Sequence, residues 1–246
     1  MKVTAVKTHK ITTADKDILK VIDKYVTNLS ERNILVVTSK IIAICEGRTV
    51  LASSTTKDEL VEQEADYYLP RSLSKYNVCI SVKNSIMVAS AGIDESNGNG
   101  NFVLWPKDPQ ASANSIRKFL QNKFKLKEVG IIISDSKTTP LRWGVTGVAL
   151  AHSGFEALNS YIDKPDIFGR LMQVEKLNIS DSLATAAVSV MGEGSEQTPL
   201  CVISNLPQVK FQNRSPNQAE LESLKISLED DIYAPLLTKV KWKKRL

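Results

Sequence analysis

Cysteine, histidine and aromatic residues are scarce in this 246-residue chain, which has three cysteines, two histidines and 6% Phe, Trp and Tyr. Cys45, Cys79 and Cys201 each stand beside apolar residues, without metal-ligand spacing between them. That excludes a zinc finger and a disulfide framework, and isolated thiols in odd number point to a reducing, cytoplasmic setting. With only His9 and His152, a histidine-rich metal centre is excluded, and no Ser-His-Asp or Cys-His set stands out. His152 follows an apolar segment and reads more readily as a packed histidine than as a general base. There is neither an apolar run of transmembrane length nor a signal-peptide pattern, so no membrane partner is expected. A G-x-x-x-x-G-K-[ST] loop and a G-x-G-x-x-G turn are also missing, and Gly98-Asn99-Gly100-Asn101 reads as a loop. Any nucleotide is then held by something other than a P-loop.

What is present suits a soluble globular protein with room for a real core, at 42% hydrophobic and 24% charged residues. The net charge of +5 sits in the last nine residues, where Lys239, Lys241, Lys243, Lys244 and Arg245 lie; without them the chain holds 27 basic and 27 acidic residues. Such a tail is more often solvated, or docked on a neighbouring subunit, than bound to nucleic acid, which is not expected as a partner.

Oxygen-bearing side chains gather where apolar runs stop. Val129–Ile133 reads as a buried strand ending on Ser134, Asp135 and Ser136, followed by a polar loop and Arg142-Trp143-Gly144. Ile86–Ala91 is a second strand candidate that runs into Gly92, Asp94, Glu95, Ser96 and Asn97. A helix near Asp181–Val190 ends in Met191-Gly192-Glu193-Gly194-Ser195-Glu196, just before the apolar strand Leu200–Ile203. Ligands in open α/β sheets bind at the carboxyl ends of strands, although Asp135 taken alone reads more readily as a turn-capping residue. Carboxylate and hydroxyl oxygens are what Mg²⁺ or Mn²⁺ prefers, with substrate phosphate completing the shell. Ile34–Thr38, another strand, ends on Ser39 and Lys40, a hydroxyl and an ammonium suited to phosphate oxygens.

Further local signals frame these stretches. Ile18, Ile22, Tyr25, Val26 and Leu29 fall on one helical face, and Lys2–Thr8 alternates like an edge strand. Thr56 and Glu59 form a capping box opening a helix over 57–68. Val78–Val82 and Ile86–Ala91 pair as a hairpin across Lys83-Asn84-Ser85. Asp108 and Pro109 open a helix to about Phe124, and Ser215-Pro216 opens a last one reaching Leu228.

Four ordered strings, VVTSK–EGR near 36–48, AGIDESN, IIISDS with RWG, and MGEG with Pro199 behind it, resemble the coenzyme F420-0:L-glutamate ligase family over roughly residues 1–207. A bacterial sister group is thought to glutamylate folates. The resemblance implies an α+β fold in two lobes forming an intertwined homodimer, with residues 208–246 as a C-terminal helical segment and basic tail packed on or beside it. It implies a ligase that adds L-glutamate to a carboxylate acceptor through an acyl phosphate, with GTP or ATP as co-substrate and Mg²⁺ or Mn²⁺ as cofactor. Carried over onto this sequence, Asp94, Asp135, Ser136 and Glu193 hold metal. Asp94, Asp135 and Arg142 are the catalytic candidates, with a surface ion pair as the plainer role for Arg142. Ser39, Lys40, Arg48, Asn97, Gly192, Gly194 and Ser195 face the nucleotide. Ser136 stands where the family usually has threonine, which keeps the hydroxyl. Ile44 stands where the family usually has a nucleotide-contacting lysine, so Lys40 or Arg48 supplies that charge or the nucleotide is held differently. A phosphatase built on the same carboxylates and a non-catalytic nucleotide-binding homologue are the competing readings.

Overall fold

A computed structural model describes residues 1–245. In chain order the strands and helices are β1 (Lys2–Val6), α1 (Ile18–Tyr25), β2 (Asn33–Thr38), α2 (Ser39–Cys45), β3 (Thr49–Leu51), α3 (Lys57–Glu64) and β4 (Tyr67–Leu69). Then come β5 (Ile80–Lys83), β6 (Ile86–Ala89), β7 (Asn101–Val103), α4 (Pro109–Phe124), β8 (Val129–Thr138), β9 (Val145–Ser153), β10 (Leu158–Ser160) and β11 (Lys176–Asn178). The chain finishes with α5 (Ile179–Met191), β12 (Leu200–Ser204), α6 (Gln218–Glu222), α7 (Ala234–Leu237) and β13 (Lys243–Lys244). The fold is mixed α and β, as expected.

A five-stranded sheet in the order β1-β12-β2-β8-β9 forms the centre, with β2 and β8 parallel and the other neighbours antiparallel. The central runs of its inner strands, 34–37, 129–133 and 200–203, are apolar because helices cover both faces. Leu35, Val37, Val129, Ile131 and Ile133 pack with Ile22, Ile42, Ile116 and Leu120 from α1, α2 and α4. Ile34, Val36 and Ile132 point the other way, onto Leu183, Ala184 and Ala187 of α5. Gly147 makes the close approach of β9 to α5 feasible, since a Cβ there would lie 2.3 Å from the Ala184 carbonyl oxygen. Between α2 and α4 the chain builds a second apolar cluster, with Leu60, Val61, Tyr68, Ile93, Phe102 and Leu104 among its members. It lies with the four-stranded sheet β13-β4-β5-β6 and the pair β3-β7.

The Thr56–Glu59 capping box and the Asp108 cap on Ala111 N–H are formed. The β5–β6 hairpin turns through Asn84 and Ser85, at φ 52° and 61°. Other expectations shift. α1 stops at Tyr25, so Val26 and Leu29 reach the core from coil. α3 stops at Glu64, and Tyr67–Leu69 becomes a strand, in keeping with its aromatic content. The last helix covers only Gln218–Glu222 despite a capping box on Asn217. Ile226, beyond it, is exposed, and with little to bury the helix does not propagate. The basic tail returns to its own chain: β13 pairs with β4, and the Lys243 and Lys244 ammonium groups lie 5.8 Å from the Tyr68 and Tyr67 ring centres. No helix among the described residues is long and apolar enough to cross a membrane.

Candidate active site

β8 does not end at Ser134. Its parallel partner β2 stops at Thr38, opposite Ser134, while antiparallel pairing with β9 carries β8 on to Thr138. Asp135 therefore lies one residue past the carboxyl end of the parallel pair but inside a hairpin, opposite Val148. Strand alternation then separates neighbours. Asp135 continues the Ile131–Ile133 face and accepts a hydrogen bond from the Trp105 indole N–H. Ser136 is turned to the end of α5, where its hydroxyl donates to Glu193 Oε2 at 3.2 Å.

Asp94 reaches the same place from the strand-like stretch after β6. Ser90, Ala91 and Gly92 all have positive φ (50°, 53° and 73°), and this sharp reversal delivers Asp94 into a bridge with Val103. Lys40, at the start of α2, sits on Asp94 with Nζ 2.6 Å from Oδ2, and donates to Ser96 O at 3.1 Å and Ser96 Oγ at 3.2 Å. The Ser96 N–H and hydroxyl also donate to Asp94, at 2.8 and 2.9 Å. Burial works to raise the Asp94 carboxyl, but the Lys40 ion pair and the Ser96 hydrogen bonds outweigh it and hold it below the ordinary range. Asp135 goes the other way: burial, to which the Asp94 charge adds, pushes its carboxyl up to about 6, against hydrogen bonds from Ser136 N–H and Trp105. Two carboxylates within electrostatic reach are thus held at different readiness to bind protons or cations.

The two faces meet through the loops. Asn97 Nδ2 donates to the Gly194 carbonyl at 3.0 Å, linking the Asp94 loop to the Gly192–Ser195 turn. Within that turn Glu196 folds back and accepts from Gly194 N–H at 2.8 Å, a closure that requires glycine at 192, where a Cβ would overlap the Glu196 carboxylate. Ser195 is exposed. Ser39 is buried at the first turn of α2. The structure therefore gathers Lys40, Asp94, Asn97, Asp135, Ser136, Glu193 and Gly194. It does not bring in Arg48, which pairs with Glu64 at 2.8 Å and donates to the Trp105 carbonyl at 3.2 Å. Nor does it bring in Arg142, which lies exposed on the β8–β9 hairpin tip beside Trp143, whose ring meets Tyr76 edge-on at 5.7 Å. His152 is buried against Phe155, and burial pushes its pKa down to about 4, so it is a neutral packed histidine.

Ile44 packs one helical turn below Lys40, 5% exposed, against Ala43 and Val103. Val103 is the residue bridged to Asp94, so a lysine at 44 would arise beside the position Lys40 already serves. Of the two cations considered for the missing charge, Lys40 is the one that reaches the acidic pair. Ile44→Lys buries an ammonium in apolar surroundings at a cost of about 3 kcal/mol or more. A melting temperature about 6–12 °C lower without ligand is the expected result.

Among the described residues no three His, Cys, Asp or Glu side chains converge as a metal cluster. The donors that do assemble are carboxylate and hydroxyl oxygens, the set that suits Mg²⁺ or Mn²⁺, and a cation, the Lys40 ammonium, already rests on one of each, Asp94 Oδ2 and Ser96 Oγ, and on the Ser96 carbonyl. Trp105, Ser96 and the Glu64 ion pairs were not anticipated. A signal for Trp105 existed: a tryptophan inside the apolar run Phe102–Trp105 will be buried, and a buried indole N–H needs an acceptor.

Acidic side chains and a lysine at the carboxyl end of a parallel strand pair are the equipment of an enzyme that handles charged, phosphorylated or carboxylated small molecules. Residues 3–205 match the family model described as F420-0:Gamma-glutamyl ligase. A coenzyme F420:L-glutamate ligase of Methanocaldococcus jannaschii is 33% identical over 198 residues, covering 73% of this chain and 78% of that protein. The Methanococcus maripaludis strain C7 protein of the same name is 30% identical (78% and 83% covered), and that of Methanopyrus kandleri is 29% identical (78% and 82%). The chain belongs to the F420-0:gamma-glutamyl ligase family, and it is an amide-bond-forming γ-glutamyl ligase.

Proposed function

We propose that the enzyme joins the amine of L-glutamate to the carboxylate of a coenzyme F420-type acceptor, at the expense of GTP or ATP and with Mg²⁺ or Mn²⁺ bound. The names of the relatives support the acceptor, and a folate is the alternative within the same chemistry. A carboxylate is a poor electrophile, so the acceptor oxygen first takes the nucleotide γ-phosphoryl group, giving an acyl phosphate and a nucleoside diphosphate. The glutamate nitrogen then attacks the acyl carbon, inorganic phosphate leaves with the C–O bond electrons, and the nitrogen loses a proton. Both steps crowd negative charge. A metal held by Asp94, Asp135, Ser136 and Glu193 would neutralise phosphate charge and align the transfer.

This chain's own residues divide the remaining work. Lys40 is a phosphate-binding cation, Asn97 fixes the nucleotide loop onto Gly194, and Arg142 meets an anionic group of a substrate from the hairpin tip. The observation that carries the reading is the Asp94–Asp135 pair with Lys40 seated on Asp94. A two-lobed, cytoplasmic homodimer completes it. The arm between β10 and β11, with Ile167, Phe168 and Val174 at 92%, 89% and 78% exposure, supplies apolar surface for a second copy. The test is release of nucleoside diphosphate in the presence of Mg²⁺ and glutamate. Release that requires a carboxylate acceptor supports the ligase. Acceptor-independent phosphate release supports a phosphatase, and tight binding without release supports a non-catalytic homologue.

A further inference from the structure

Trp105 joins the two acidic segments of the site and is itself clamped from behind. The indole is 2% exposed and donates its N–H to Asp135 Oδ2. Its ring lies directly on the backbone of Gly92, two residues before Asp94: a Cβ at Gly92 would stand 2.0 Å from Trp105 Nε1. The close approach and the φ of +73° together require glycine there. The Lys83 ammonium, 8% exposed as a residue, sits 5.3 Å from the indole ring centre, and the Arg48 guanidinium donates to the Trp105 carbonyl. Glu64 holds both cations, at 2.6 Å from Lys83 and 2.8 Å from Arg48. A cation over the face of an indole draws on its π density and makes the N–H a stronger donor.

From this geometry we infer that Trp105 is a positioning residue: it sets the orientation of the Asp135 carboxylate and its spacing from Asp94, and the Lys83–Glu64–Arg48 ion pairs hold it in place. The inference rests on the metal-binding reading of Asp94 and Asp135. It gives Arg48 a role behind the site. The indole N–H on Oδ2, set against the Ser136 N–H on Oδ1, fixes the plane of the Asp135 carboxylate and so the direction of the lone pairs left to face a cation, and one packing contact fixes the backbone that presents Asp94. Outer partners of metal-binding side chains typically change metal affinity by about 10–100-fold when removed.

The test is calorimetric Mn²⁺ binding to the full chain without nucleotide, alongside thermal melts. The key variant carries β-(3-benzothienyl)alanine at position 105 by site-specific incorporation, which keeps the shape of the indole and replaces the N–H by sulfur. Trp105→Phe and Lys83→Met accompany it. The benzothienyl chain is expected to melt within a few degrees of wild type and to bind Mn²⁺ about 10-fold or more weakly. Lys83→Met should give a smaller loss in the same direction. Should Trp105→Phe fail to fold, the benzothienyl chain carries the test. Equal Mn²⁺ affinity in the wild-type and benzothienyl proteins would overturn the positioning role while leaving the metal reading intact. No Mn²⁺ binding by the wild type would overturn both.

Discussion

Asp135→Asn is expected to lower ligase turnover by about 10²–10³-fold or more, while removing the loss of stability that the unliganded wild-type protein undergoes between about pH 4 and pH 8. The two effects share one cause. Burial, with the Asp94 charge adding to it, pushes the Asp135 carboxyl up to about 6, above the ordinary 3.8. A carboxyl that binds its proton more tightly in the fold than in the unfolded chain contributes stability below about pH 4, and that contribution is lost as the pH rises through about 6. At pH 8 the native protein therefore holds a buried charge at a cost approaching 3 kcal/mol, the equivalent of about two pKa units. Asparagine never ionises. Its amide oxygen can accept from only one of the Ser136 and Trp105 N–H groups and its NH2 faces the other donor, a pH-independent cost of about 1–3 kcal/mol that the protonated acid, whose hydroxyl oxygen can still accept, avoids. The melting temperature of the variant relative to wild type is expected to rise by several degrees between about pH 4 and pH 8, from below wild type at pH 4 to near it at pH 8. Stabilisation by Mg²⁺ plus nucleotide disappears at the same time, because a hard divalent ion needs the charge. Asp94→Asn loses turnover as fully, and the double variant is little worse than either single one, since residues acting as a unit are not additive. A melting-temperature difference between the two proteins that does not change with pH, together with intact metal-linked turnover in Asp135→Asn, would reduce Asp135 to a structural turn residue.

Much of this arrangement was legible in the chain. The apolar runs at 34–37 and 129–133 have no polar alternation because both of their faces are covered, and that composition alone marks an inner strand. Caps at Thr56 and Asp108 were readable because their chemistry is local. The end of β8 was not readable, because Ser134-Asp135-Ser136 has the composition of a turn. Only pairing with β9, through a register shift that takes in Leu150, keeps those residues extended. The same long-range pairing decided that Asp135 and Ser136 face opposite sides, which a list of oxygen donors does not reveal. The resemblance puts Arg48 among the residues facing the nucleotide, whereas in the fold Glu64, sixteen residues on, pairs with it. Charge partners that far apart follow from the fold of residues 46–105 and from no pattern in the segment itself. Where the tail packs was not legible for a related reason: five cations suit a solvated end, a neighbouring subunit or the chain's own surface equally, and only the fold shows that the tyrosines of β4 offer their rings and an open strand edge to it.

Lys40→Met separates the two cations that the site must manage. In the unliganded protein the Lys40 ammonium occupies Asp94 Oδ2, Ser96 O and Ser96 Oγ, the kind of oxygens a divalent ion seeks. On the proposed metal reading, an ion binding at Asp94 would displace it, and the freed ammonium would stand at the start of α2, where phosphate oxygens are favoured by charge and by the helix dipole. Methionine keeps most of the stem and removes the charge. Three results are expected from one substitution. Without metal the melting temperature falls, because Asp94 is left charged and half-buried beside Asp135 with only the Ser96 hydrogen bonds to stabilise it. Mg²⁺ or Mn²⁺ added alone binds more tightly than to the native protein, by about 10-fold, since a competing charge-assisted contact of about 1.5 kcal/mol is gone, and it restores the lost stability. Nucleoside triphosphate in saturating metal binds about 10–100-fold more weakly, the loss of a charged hydrogen bond to phosphate worth about 1.5–3 kcal/mol. The opposite signs of the metal and nucleotide effects are the diagnostic. A surface ion pair without function would leave both affinities unchanged, and a lysine serving only to steady Asp94 would weaken metal binding instead of strengthening it. Calorimetric titration of metal and of nucleotide, each into both proteins, distinguishes the three.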